Sequence, residues 1–462
     1  MSFPKHAKYR DSGVEWLGQI PSHWRLQPLK RHARQLTEKT DRRQQPVALE
    51  NIESWTGRFI PTESEFEGEG VAFDSGDILF GKLRPYLAKA LVAQSFGEAV
   101  GDFIVMRLTD QAFSPFVAYQ LRSREVVSIV DGSTFGSKMP RASWDFVGAL
   151  PLPLPPCDEQ VAITAFLDAE TAKIDSLVEE QRRLIELLKE KRQAVISQAV
   201  TKGLNPNAPM KDSGVEWLGR VPAHWGVGGL GYLAAIDSGA TPDRDNPDYW
   251  NGNIPWIKTG EVNYEPIAAA EEHITEFGLT NTSARLAKPG TLLMAMYGQG
   301  ATRGRVSILE IEAAYNQACA AIRFRDNLRA AFGYYFLLAA YEHVRDSGNE
   351  TSQMNLSTGV ISKFKLPVPP LHEQDAIVSH LDQQLRAIDG LLAEARAAAQ
   401  LLGERRAALI SAAVTGKIDL RDSVDLLTAW AETKADIAAG RFVSESAKAH
   451  VARARAMAKR DD

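Results

Sequence analysis

The chain has little of what marks a secreted, membrane-embedded or metal-stapled protein. Only two cysteines occur in 462 residues, Cys157 and Cys319, with neither disulfide nor metal spacing, which suits a reducing compartment. The opening Met1-Ser2-Phe3-Pro4-Lys5-His6 does not resemble a signal peptide. The longest apolar run, around Phe332 to Tyr341, is far too short to cross a bilayer, so a cytoplasmic location with no membrane partner is the expectation. A strong charge of either sign is also missing: the formal net charge is −5. That excludes a uniformly basic nucleic-acid binder, while leaving room for a local basic face.

Catalytic and cofactor motifs are scarce too. There is no phosphate loop of the form Gly-x-x-x-x-Gly-Lys-Ser/Thr, and no Asn/Asp-Pro-Pro-aromatic run of the kind amino-methyltransferases use. Gly226-Val227-Gly228-Gly229-Leu230-Gly231 matches the dinucleotide glycine pattern, but no apolar strand leads into it. His372-Glu373 begins like a zinc-protease helix, yet Ala376 stands where the second ligand belongs. No metal and no cofactor are expected in this chain, and no catalytic residue is assigned.

What the chain does contain, it contains twice. Pro155-Pro156-Cys157-Asp158-Glu159-Gln160 returns 214 positions later as Pro369-Pro370-Leu371-His372-Glu373-Gln374. Gly13-Val14-Glu15-Trp16-Leu17-Gly18, followed by Ile20-Pro21-Ser22-His23-Trp24, returns 201 positions later as Gly214 to Gly219 and Val221-Pro222-Ala223-His224-Trp225. The second intervening domain is therefore 13 residues longer. Such a period is too long for a solenoid and reads as a tandem duplication. The Trp and His of the arms read as packing residues that dock against the helices.

Each Pro-Pro stops what precedes it, and the acidic residues after it favour a helix N-terminus. Ile163, Leu167, Ile174, Leu177, Leu184, Leu188 and Val195 recur at steps of 3, 4 and 7, and Leu381, Leu385, Ile388, Leu391, Leu402 and Leu409 keep the same phase. Gly203 and Gly416 are the expected stops. At 1.5 Å per residue each helix runs to roughly 64 Å. Two helices of that length most simply bury their seams against each other as an antiparallel coiled-coil pair.

The expected class is α/β (α+β), with two recognition-type domains of mixed character separated by two long antiparallel coiled-coil helices in a tandem pseudo-repeat. The expected divisions are an arm over residues 1–24, a first variable domain over 25–157, a first helix over 158–203, a second arm over 204–225, a second variable domain over 226–371, a second helix over 372–416, and a tail over 417–462. From Arg25 to Arg43, seven Lys/Arg oppose Glu38 and Asp41, a local +5 against the sign of the whole chain. Both variable domains carry strand-like pieces broken by Gly and Pro. Their matched polar loops differ in sequence, as expected of two copies that read different targets.

These duplicated motifs resemble the specificity subunits of Type I restriction-modification systems, over about residues 8–417. The resemblance rests on Gly-Val-Glu-Trp-Leu-Gly with Ile/Val-Pro-x-His-Trp in both arms and Leu-Pro-x-Pro-Pro-x-x-Glu-Gln before both helices. Gly76 to Tyr86 in one variable domain, and Trp250 to Gly260, Asn316-Gln317 and Gln353 to Leu356 in the other, add to it. The resemblance implies two target-recognition domains, each binding half of a split double-stranded DNA site. It implies two partner methyltransferase subunits that bind S-adenosylmethionine and modify adenine. It also implies partner nuclease subunits, which translocate DNA and use ATP and Mg, and a chain that is not itself an enzyme.

Lys/Arg on such surfaces would hold phosphates, and Arg, Asn and Gln on loops can reach base edges. The DNA-binding candidates are Arg42, Arg43, Lys82, Arg84, Lys138 and Arg141 in the first domain. In the second they are Lys258, Tyr297, Gln299, Arg303, Arg305, Gln353 and Asn355, with Asn316 and Gln317 alternatively structural. Two competing readings are a restriction or methyltransferase enzyme acting alone, which the missing motifs oppose, and a coiled-coil scaffold binding non-DNA ligands, which the local +5 opposes.

Overall fold

The computed structural model describes residues 3–40, 45–62, 69–136, 138–298, 301–346 and 355–421. The chain divides into two compact units, Met1–Gln181 with Ala397–Asp462, and Arg182–Arg396.

In the first unit a hairpin of Tyr9–Asp11 and Gln19–Pro21 leads to Arg25–Pro28, which pairs antiparallel with Pro151–Leu154 just before the first long helix. Between them lie two four-stranded sheets. One is antiparallel, in the order Ala33–Leu36, Phe103–Leu108, Ile78–Gly81, Ala90–Val92. The other runs Lys39–Thr40, Gly70–Phe73, Gly97–Val100, Pro46–Val47, with the last pair parallel. Alternate residues of Phe103–Leu108 serve the two faces of its sheet: Ile104, Met106 and Leu108 pack with the helices Ser114–Leu121 and Arg124–Gly132, while Phe103 and Val105 pack with Phe73 and Ala99 of the second sheet.

The second unit repeats the plan. Met210–Asp212 pairs with Arg220–Pro222, and Gly226–Gly229 pairs with Lys365–Val368. One sheet is ordered Ala234–Ser238, Cys319–Phe324, Leu292–Ala295, Val306–Ile308. The other is ordered Glu272–Ile274, Trp250–Ile257, Ala313–Tyr315, Leu286–Ala287. The departure from the first unit is local: a bulged hairpin of Trp250–Ile257 with Glu272–Ile274 replaces the short parallel strand Pro46–Val47. The glycines of 226–231 serve packing: a Cβ on Gly231 would meet Ser362 Cβ at 2.9 Å. Cys319 lies in this core, where burial lifts its thiol to about 12.

Both long helices form, Cys157–Lys202 and Leu371–Val414. The glycines just past their ends, Gly203 and Gly416, sit at φ 73° in the left-handed region, which favours glycine. Within each unit the two helices run antiparallel. In the first, Ile163, Leu167 and Ile174 share a cluster with Leu409, Ile410 and Val414, and Asp175 pairs with Arg406 at 2.8 Å. In the second, Leu188 packs with Ile388 and Leu392, and Arg192 pairs with Asp389 at 3.1 Å. The expected seam is corrected in part. Leu177, Leu184 and Leu391 are 44%, 42% and 50% exposed. Val178, Ile185 and Leu392, each one position on, pack in the apolar clusters instead. A one-residue shift turns a helix face by about 100°, so a leucine pattern alone cannot separate neighbouring faces. Among the described residues no helix is long and apolar enough to cross a membrane.

Candidate nucleic-acid interface

The duplicated Glu-Gln after Pro-Pro has a mechanical explanation. Glu159 accepts from Trp24 Nε1 at 2.7 Å and lies 2.7 Å from His23 Nε2; Glu373 accepts from Trp225 Nε1 at 3.0 Å and lies 2.6 Å from His224 Nε2. Gln160 and Gln374 donate to Pro155 O and Pro369 O at 2.9 and 2.8 Å, closing the turn that starts each helix. Each arm therefore docks on a helix start, and the variable domain follows from a fixed base. A second matched clamp, Tyr119 to Asp168 and Tyr335 to Asp382, joins each domain to its helix.

In the first unit, two loops form one surface. The loop after Ile78–Gly81 is pinned to the 133–142 loop by Arg84 N–H donating to Pro140 O and Ala142 N–H donating to Lys82 O, both at 2.9 Å. Lys82 and Arg141 share Asp102, at 3.6 Å and through two 3.0 Å contacts respectively. That hydrogen-bonded carboxylate holds the Arg141 guanidinium above its ordinary range. Arg84 and Lys138 are exposed. Arg84 has φ 52°, a strained value for a non-glycine residue that is held by its backbone bond to Pro140. Tyr86, Phe135 and Met139 stand exposed among these cations, at 45%, 65% and 48%. Sequence reasoning did not nominate these three, although Phe135 beside Gly136 in a polar loop was the available signal. Arg42 and Arg43 lie outside the described residues.

The second unit repeats one of these backbone bonds 214 positions on. Leu356 N–H donates to Met296 O at 3.0 Å, where Ala142 bonds Lys82 in the first. Gly298, at φ 137°, takes the place of Arg84. Around this hairpin Tyr297 is exposed and Asn355 is half-buried. Arg305 folds back, donating from Nε to Ala301 O at 2.8 Å with its guanidinium 5.6 Å from the Tyr264 ring. Arg303 is buried, with its Nε lacking a hydrogen-bond partner among the described residues. Gln299 and Gln353 lie outside the described residues.

Two other nominated groups are committed to partners of their own. Lys258 is paired with Glu271 at 2.8 Å and Glu272 at 3.0 Å; the hydrogen bond to Glu271, then that to Glu272, raise its pKa. Asn316 braces the core, its side-chain amide donating to Thr259 Oγ1 at 3.1 Å and accepting from Ala318 N–H at 3.1 Å.

Residues 222–396 match the family model described as the Type I restriction modification DNA specificity domain. The MjaIX specificity subunit of a Type I restriction enzyme from Methanocaldococcus jannaschii is 27% identical over 169 residues, 36% of this chain and 38% of that protein. The EcoR124I/EcoR124II specificity subunit from Escherichia coli is 24% identical over 33% of this chain and 39% of that protein. The matches to these two thus span about two-fifths of their length. The MjaVIII specificity subunit, also from M. jannaschii, is 22% identical over 66% of this chain and 71% of that protein. The fold is shared with a chain from a structure of type I R-M system assembly, with TM-score 0.69, 19% identity, and coverage of 86% of this chain and 98% of that one. It is shared too with the HsdS subunit from Thermoanaerobacter tengcongensis, with TM-score 0.51 and 18% identity over 86% and 98% of the two chains. Residues 222–396 thus match the Type I restriction modification DNA specificity domain, and the chain is similar in sequence and fold to specificity subunits of Type I restriction enzymes.

Proposed function

We propose that this chain selects the DNA site of a Type I restriction-modification complex and performs no catalysis itself. Each variable domain reads one half of a bipartite double-stranded site, and the two long helices set the gap between the halves. Two methyltransferase subunits carrying S-adenosylmethionine, and nuclease subunits using ATP and Mg, act where this chain places them, in the cytoplasm. The observation that carries the reading is the repeated loop surface, Lys82–Arg84 with Lys138–Arg141 in one unit and Tyr297 with Arg305 and Asn355 in the other. Matched scaffolding presents different polar and aromatic side chains, as two readers of different half-sites require.

The test is adenine methylation mapped genome-wide in cells expressing the chain with its neighbouring methyltransferase, against cells lacking only this chain. A split motif, two short defined halves around an undefined gap, is expected only when the chain is present. Methylation at one continuous motif, or a motif that persists without the chain, would contradict the proposal.

A further inference from the structure

His6 is out of place in the first unit. Its side chain is 3% exposed, and neither ring nitrogen has a hydrogen-bond partner among the described residues. Buried polar atoms are rarely left in that state. The rings of His23, Trp24 and Tyr9 surround it at 5.5, 5.8 and 6.1 Å. Burial lowers its pKa. One nitrogen of His6, one of His23 and a carboxylate oxygen of Glu159 all lie within 4.8 Å of one another. Asp419 Oδ2 is 3.6 Å from His6 Nδ1, and Arg421 holds that carboxylate.

The internal repeat supplies a comparison. His224, Trp225 and Glu373 reproduce the His23, Trp24 and Glu159 contacts in the second unit. The position 201 on from His6 is Asn207, which is exposed. Docking an arm on a helix start therefore does not require a buried histidine, and His6 is an addition specific to the first unit.

We infer that His6, His23 and Glu159 form a site for one divalent ion of the zinc class. Two imidazoles and a carboxylate are donors that suit such an ion, whereas magnesium and calcium take oxygen. With bonds of about 2.0–2.2 Å, ligand atoms in a tetrahedral site stand about 3.3 Å apart. The His23–Glu159 pair, now at 2.7 Å, has to open by roughly 0.6 Å while His6 closes in. His23 has room to turn, since its side chain is 37% exposed. The indole N–H of Trp24, already on the other oxygen of Glu159, supplies the outer hydrogen bond that orients a ligating carboxylate. Water or Asp419 completes the fourth position. The ion ties the segment before the first hairpin to the first turn of the first long helix, stapling the base from which the first variable domain rises.

The untagged full-length chain, stripped with chelator, is titrated with Zn²⁺ by calorimetry and with Co²⁺ by visible absorption. One equivalent per chain is expected, with the visible bands of tetrahedral Co²⁺. His6→Phe fills the aromatic surround without offering a ligand, and should weaken binding about ten-fold or more. His224→Ala, in the arm without a buried histidine, should leave affinity within about two-fold. Circular dichroism verifies folding of each variant; His23→Gln, at a half-exposed position, makes the same test if His6→Phe fails to fold. Wild-type chain without saturable binding overturns the inference, as does undiminished binding in the folded His6 or His23 variant.

Discussion

Trp24 donates its indole N–H to Glu159 Oε2 at 2.7 Å, across 135 positions of sequence. Trp225 and Glu373 repeat the bond at 3.0 Å. Both indoles are buried, so replacing the carboxylate leaves a donor without a partner, a loss of about 1–3 kcal/mol beyond that of the bond itself. The two sites differ in solvent access, since the Glu159 side chain is 6% exposed and that of Glu373 is 30% exposed. Water can take over more of the lost bonding at Glu373. Glu159→Ala is therefore expected to destabilise the first unit by about 3 kcal/mol, and Glu373→Ala the second by about 1–2 kcal/mol. Urea unfolding in chelator, followed by hydrogen exchange to separate the units, checks the order; a larger loss at Glu373 would reverse the burial argument.

That contact shows what was legible in the sequence. Repetition marked the arms, the helix starts and the stops at Gly203 and Gly416, because each is a local motif with a local physical cause. The docking role expected of the arm Trp and His followed from the same repetition. The leucine seam was only partly legible: Leu177 and Leu184 fit the spacing as well as Val178 and Ile185 do, and the packing partner decides between them. The candidate cations were less legible still. Lys82 and Arg141 turn out to share Asp102, and Lys258 is held by Glu271 and Glu272, pairings made across 20, 39, 13 and 14 positions that no composition window reveals.

On the proposed DNA-reading surface, Arg84 and Lys138 differ from Arg141 in the contacts they already make. The first two are exposed, whereas Arg141 is bidentate to Asp102 and joins the two loops. Arg84→Ala and Lys138→Ala are each expected to weaken binding at low salt and to reduce the slope of log K against log salt by about 1. The melting temperature should not change. Arg141→Ala is expected to weaken binding and to lower the melting temperature, because the loop that presents Lys138 loses its anchor. Fluorescence anisotropy over a salt series, beside thermal unfolding, separates the two classes. An unchanged salt slope for Arg84→Ala removes it from the interface.

Lys258 is expected to contribute little to DNA binding. Its ammonium is already committed to Glu271 and Glu272, so a phosphate would have to displace two carboxylates. Changing Lys258→Met alone would leave Glu271 uncompensated and repel DNA for a secondary reason. The informative variant removes the pair together. Lys258→Met with Glu271→Gln should keep DNA affinity within about two-fold, since a surface ion pair of this kind is worth little on its own. A ten-fold loss would place Lys258 on a phosphate despite its partners.

The proposed ruler role of the helices makes the most specific demand. The boundary between the units falls inside both helices, between Gln181 and Arg182 in the first and between Arg396 and Ala397 in the second. Seven residues inserted at each point add two turns, about 10.5 Å, and return the apolar face close to its original phase. About three base pairs of duplex cover that length at 3.4 Å each. The methylated motif is therefore expected to keep both halves and to widen its undefined gap by about three base pairs. Insertion into one helix alone should abolish methylation, because each unit pairs a segment of one helix against a segment of the other, as Asp175–Arg406 and Arg192–Asp389 show, and an unmatched insertion cannot keep both pairings in register. Methylation mapping of the matched variant decides the matter. An unchanged gap with both halves retained would mean that the helices hold the domains without setting the distance they read.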